Sequence, residues 1–130
     1  MLKMYNINRT SIYKNLKTKC YIASKIGTYE DDNGNEIPEY KKPEPFRFNI
    51  QPVNSDSEIR TFGELAPRMK VAVLTERNKY DGVFNEFDLA YLDGASPSNE
   101  IIYGDNANYR IYAVQPQNMI IKLYFLKLVK

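Results

Sequence analysis

FNEFDLAYLDGASPSNEIIYGDNANYRIYAVQPQNMIIKLYFLKLVK, residues Phe84–Lys130, is the stretch whose reading decides the fold. Short runs rich in Tyr, Phe, Ile and Val alternate with clusters of Gly, Asn, Asp and Pro, the grammar of strands separated by turns. Phe87–Leu92 reads as a strand that Asp93-Gly94 turns. Ala95–Asn108 follows as a loop with a tight turn at Gly104-Asp105-Asn106. Tyr109–Val114 and Met119–Val129 are the last strands, joined through Gln115-Pro116-Gln117-Asn118.

The same pattern extends towards the start of the chain. In Phe46–Val53, Phe46, Phe48 and Ile50 face one way and Arg47, Asn49 and Gln51 the other, as a half-buried strand requires. Lys17–Ser24 alternates too, with Cys20 and Ile22 opposite Lys19 and Tyr21, and Met69–Thr75 is a further strand. Ser55 and Glu58 have the capping-box spacing, which predicts a helical turn that Gly63 and Pro67 end. Between the first strands, Thr28–Pro45 reads as a hairpin with its tip at Asp32-Asn33-Gly34-Asn35, residues that tolerate positive φ. Pro38, Pro43 and Pro45 make its flanks edge-like. The expectation is an all-β fold: a small antiparallel β-barrel or sandwich with long loops and at most one or two short helical turns. Residues 1–16 fit neither period and read as an arm or a short helix, a basic N-terminal arm to residues 17–130, which form a single β-barrel domain.

At 130 residues the chain suits one domain. It has 43% hydrophobic and 26% charged residues, ordinary values for a globular protein. Cys20 is the one cysteine, so no internal disulfide forms, and no run approaches the length of a membrane span. The expected location is the cytoplasm, or something assembled there, with no membrane partner.

The net charge of +2 conceals an asymmetry. Residues 1–29 hold Lys3, Arg9, Lys14, Lys17, Lys19 and Lys25 and no acid, giving +6, whereas residues 30–130 hold 12 basic and 16 acidic side chains, giving −4. Such an arm contacts phosphate, contacts the acidic surface of a neighbouring subunit, or solvates an exposed edge strand. Lys14, Lys17 and Lys19 are therefore candidate partner contacts. So are the tip residues Asp31, Asp32, Asn33, Gly34, Asn35 and Glu36, which are polar, stiff-flanked and longer than a minimal hairpin needs.

Catalytic chemistry has little to build on. Without histidine there is no imidazole base and no His-ligated metal, and one cysteine makes no thiolate zinc site. Glu86 and Asp88 are spaced to share a strand face as a carboxylate pair, a spacing common on any solvated strand. An EF-hand register fails: with Gly34 at the glycine place, Tyr29 and Tyr40 fall where carboxylates are needed. The expectation is no enzyme, no cofactor and no metal. Aromatics beside lysines also suit an OB-like single-stranded nucleic-acid-binding module, a reading opposed by the acidic body.

Taken in order, KTKCYIASKIGTYEDDNGNE, FRFNIQPVNSDSEIRTFGE, FNEFDLAYLDG and NYRIYAVQPQNMIIKLYFLKL resemble the small head-closure (head–tail connector, or stopper) proteins of tailed bacteriophages and prophages of Gram-positive hosts. The likeness is carried by Asp32, Gly34, Asn35 and Glu36 in the hairpin, and by Phe48, Asn49, Ile50 and Pro52 in the next strand. Phe62 and Gly63, then Asp88, Tyr91, Leu92 and Asp93, and finally Asn108, Tyr109 and Ile111 continue it. It spans residues 17–130 and leaves the first sixteen uncovered. The resemblance implies a virion structural protein of the neck: a homo-oligomeric ring beneath the portal and adaptor proteins. Such a ring closes the head after DNA packaging and offers the surface on which tail proteins dock, while genomic DNA passes without sequence-specific binding. A tail-completion or tail-terminator role is the neighbouring alternative.

Overall fold

The structure, a computed structural model, describes residues 17–129. Lys14 and the rest of the basic arm lie outside the described residues. The strands are β1 (Thr18–Ala23), β2 (Lys25–Glu30), β3 (Glu36–Tyr40), β4 (Glu44–Phe48), β5 (Ile50–Pro52), β6 (Met69–Leu74), β7 (Leu89–Tyr91), β8 (Tyr109–Gln117) and β9 (Ile120–Lys127). Two short helices, α1 (Asp56–Phe62) and α2 (Arg77–Tyr80), and a 3-10 helix over Gly63–Arg68 complete the elements of the described residues. The fold is all-β, as expected.

Seven strands form one antiparallel sheet in the order β4-β1-β7-β8-β9-β6-β5, while β2 and β3 pair separately. The two terminal strands of the large sheet are consecutive in the chain, with Asn49 alone between them. One bent strand thus pairs with β1 through its first half and with β6 through its second, which curls the sheet upon itself. The burial pattern agrees. Cys20, Ile22, Phe48, Ala72, Leu74, Ala90, Ile111, Ile121, Leu123 and Phe125 converge in one interior cluster, drawn from alternate positions along the strands as the pleat demands. Each large apolar side chain buried there stabilises the fold by about 1.5–3 kcal/mol.

An aromatic seam packs Phe46 and Phe48 of β4 against Tyr80 and Phe84. Phe84 stands 5.2 Å from Phe46 and 5.9 Å from Phe48, centroid to centroid, and Tyr80 lies 5.6 Å from Phe48. On the outer face of β6 and β9, α1 and the 3-10 helix cover a second cluster including Met69, Val71, Tyr124 and Leu126. The capping box forms as its spacing predicts: Ser55 Oγ accepts from Glu58 N at 3.2 Å and donates to Glu58 Oε1 at 2.6 Å. Glu58 Oε2 also accepts from Tyr124 OH at 2.6 Å, so the cap fastens α1 to β9. Gly63 ends α1 at φ +56, but the chain runs on helically and Pro67 lies inside the 3-10 helix.

Three strand readings change. The run Phe46–Val53 breaks at Asn49, where it passes from one sheet edge to the other. Phe87–Leu92 shrinks to Leu89–Tyr91, because Phe87 adopts φ +74 and is exposed rather than packed in the core. Strands β8 and β9 continue through Pro116 to a turn of just Asn118 and Met119. Ile111 N donates to Asp88 O and Ile111 O accepts from Phe87 N; beyond it, among the described residues, β8 pairs with β9 alone and is an edge, which is where a strand tolerates proline.

Candidate interaction surface

The β2–β3 hairpin stands apart from the barrel sheet, and every residue of β2 is exposed. Its register pairs Tyr29 with Ile37 and Thr28 with Pro38, and sets Glu30 directly opposite Glu36. Like charges in that position repel. Residues 26–40 contain Glu30, Asp31, Asp32, Glu36 and Glu39 and no base, so the whole finger is acidic.

The tip is a self-bonded turn. Asp31 Oδ1 accepts from Asn33 N at 2.9 Å and from Asn35 N at 2.8 Å, and the backbone closes with Asp31 N donating to Asn35 O at 2.9 Å. These bonds, that to Asn35 first, hold the Asp31 carboxyl below the ordinary carboxylate range. Gly34 supplies the φ of +81 that the turn needs. Of the tip residues read from sequence as partner contacts, Asp31, Asn33, Gly34 and Asn35 build the turn, whereas Asp32 and Glu36 point their charge outward from an exposed setting.

The root is held by the barrel. Asp88, fully buried, accepts through Oδ1 from Lys25 N and through Oδ2 from Asn85 N, both at 2.9 Å. Burial raises its pKa, and the two N–H donors oppose that rise. Glu86 sits exposed in the turn before it; the two carboxylates do not share a strand face, and Asp88 is spent on backbone donors. Lys17 and Lys19 are exposed at the opposite end of β1 from the hairpin root, and Lys19 pairs in register with Arg47. The candidate basic and acidic residues therefore form two separate patches.

Beside the hairpin root lies a second feature, the connection from Asp93 to Asn108. Tyr91 OH donates to Glu100 Oε2 at 2.5 Å and accepts from Gly104 N at 2.9 Å, and Glu100 Oε2 also accepts from Asn106 N at 2.9 Å. Burial, with Glu100 beside it, pushes the Tyr91 phenol well above its ordinary range. Asn108 closes the base, donating to Leu92 O at 2.8 Å and accepting from Leu92 N at 2.9 Å. At Gly104 a Cβ would meet Leu89 Cδ1 at 2.7 Å and the Tyr40 ring at 3.4 Å, so the loop packs directly against the hairpin. A loop pinned this firmly nevertheless holds Ile101, Ile102 and Tyr103 out to solvent, at 94%, 58% and 47% exposure. The sequence reading placed the turn at Gly104 but missed this apolar crest; three large apolar residues in succession inside a polar loop were its signal.

Among the described residues, no group of three or more Cys, Asp or Glu could hold a metal ion, and no helix is long and apolar enough to cross a membrane. A shallow cleft of about 360 Å³ between Thr75–Lys79 and the Asn118–Met119 turn lies at the far end of β8 from the crest. Comparison with protein-family models and with curated proteins returns no match. What the surface offers is contact chemistry: an acidic finger, a basic patch on β1 and β4, and an ordered apolar crest.

Proposed function

We propose that this chain is a structural protein of the tailed-phage neck. It forms a homo-oligomeric ring below the portal and adaptor, closes the head after packaging and presents the surface on which the tail docks. The role is architectural and involves no catalytic turnover. The observation that carries the reading is the pairing of a self-contained barrel with a firmly rooted, solvent-exposed hairpin and an ordered apolar crest beside it. The main interior cluster contains no residue of either. The order of sequence motifs, which resembles that of head-closure proteins, supports this choice of assembly. An acidic finger also suits a channel that DNA must leave quickly, since it repels phosphate.

Rings need heterologous contacts, in which one patch of a subunit meets a different patch of the next. Separate acidic and basic patches on one chain fit that requirement. Replacing Asp31–Glu36 by an Asn-Gly turn tests the reading. The monomer stays folded with nearly unchanged stability, while binding to portal–adaptor complexes and assembly into full particles fall. Unimpaired particle assembly by this variant contradicts it. A tail-completion role differs from this one in its neighbours, and labelling the protein within intact particles separates the two.

A further inference from the structure

Among the described residues, strand β2 pairs with β3 on one side only, and past the Lys25 N–H, which Asp88 accepts, its other edge has no partner strand. Natural proteins blunt such edges with proline, and two nearby edge strands are blunted that way: β3 carries Pro38 and β4 carries Pro45. β2, KIGTYE, has no proline, is exposed throughout, and presents Ile26 and Tyr29 to solvent. Past an irregularity in register between Lys25 and Gly27, residues 28–30 are an open edge on an acidic finger.

We propose that residues 1–16 of a neighbouring copy dock along this edge. The proposal rests on the ring reading and names the contact that links adjacent subunits. Residues 1–16 carry Lys3, Arg9 and Lys14 and no acid, and intersperse them with Leu2, Met4, Tyr5, Ile7, Ile12, Tyr13 and Leu16. The chemistry matches on both counts: cations for Glu30, Asp32 and Glu36, and apolar side chains for Ile26 and Tyr29. Strand addition of this kind takes affinity from main-chain hydrogen bonds and selectivity from side chains. The ring reading assigns the occupant to another copy, and the direction of β1 agrees with that. The described chain begins at Lys17, next to Thr18, whereas the hairpin leaves after Ala23 at the other end of that strand. The segment therefore starts at the end of the barrel wall remote from its own finger. Repeated around a ring, each copy gives its segment to one neighbour and its finger to the other, a heterologous contact that closes.

Zero-length carbodiimide cross-linking of the full chain, prepared as an equal mixture of natural-isotope and nitrogen-15 protein, tests this. The reagent joins carboxylates to amines that already touch. The expected products join Lys3 or Lys14 to Glu30, Asp32 or Glu36, and light–heavy pairs make up half of them. Their yield falls several-fold at about 1 M salt, where the Debye length shrinks to about 3 Å. Links confined to light–light and heavy–heavy pairs place the segment on its own finger and overturn the proposal, as does the absence of links between these residues. The measurement uses the protein alone, so its failure leaves the neck reading standing. Failure of the particle experiment above leaves an observed inter-chain link intact.

Discussion

Asp88 and Lys25, 63 positions apart, are joined by a 2.9 Å hydrogen bond from the Lys25 backbone N–H to the buried Asp88 carboxylate. The bond fixes the point at which the acidic hairpin leaves the barrel. It therefore links a core position to the geometry of an external surface.

Asp88→Ala removes the acceptor of two backbone N–H groups, those of Lys25 and Asn85. An unsatisfied buried donor costs about 1–3 kcal/mol, so the variant is expected to lose about 3 kcal/mol in urea denaturation. Hydrogen exchange at the Lys25 amide rises with it. Unchanged stability contradicts the anchoring role.

Phe84→Ala opens the aromatic seam between Phe46, Phe48 and Tyr80. Truncation of a buried Phe costs about 3–5 kcal/mol. Denaturation midpoints measure this loss, and a loss below about 1 kcal/mol means that the seam is not needed to close the barrel.

Acid weakens the fold through Glu58 and Asp93. Burial raises the Glu58 pKa, but hydrogen bonds from Ser55 and Tyr124 and the charge of Lys122 outweigh it and bring the carboxyl below its usual 4.5. Asp93 likewise ends below 3.8: burial opposes the shift, while Lys70, Tyr109 and Lys127 drive it. A carboxyl with a depressed folded pKa contributes stability above its unfolded pKa and loses it as pH falls through the folded one. Stability is thus expected to decline progressively below about pH 4.5. Asp88, shifted upward, acts in the opposite sense. Glu58→Gln flattens part of the decline in pH-dependent urea melts; an identical slope removes Glu58 from the account.

Ile101→Ser with Ile102→Ser alters only the exposed crest. Surface changes of this type shift stability by no more than about 0.5 kcal/mol, and the melting curve is expected to overlay that of the parent. Binding to neck complexes drops at least tenfold if the crest is a contact. Retained binding assigns the crest no part in docking.

Much of the barrel was legible because period-two alternation reports directly which side chains share a face. Cys20 with Ile22, and Phe46 with Phe48, lie in the interior as their spacing requires. The capping box at Ser55 and Glu58 was readable for the same reason, since local spacing fixes it. Phe87 was misplaced because it takes a positive φ and its N–H bonds Ile111 O, a contact between distant positions that no local pattern encodes. The break at Asn49 was hidden too, because alternation continues from Phe48 to Ile50 while the hydrogen-bonding partner changes from β1 to β6. At the candidate surface, the polar tip was evident from Asp31–Glu36, yet the division between turn-building Asp31 and outward-facing Asp32 and Glu36 depends on hydrogen bonds. The crest at Ile101–Tyr103 becomes a feature only because Glu100 bridges Tyr91 and Asn106 beneath it.

The most direct measurement is electron microscopy of the purified protein mixed with portal–adaptor complexes. A ring of added density beneath the adaptor is expected, with the hairpins at subunit contacts or in the channel. Portal–adaptor complexes with no added density, under conditions in which the protein instead coats single-stranded DNA, contradict it.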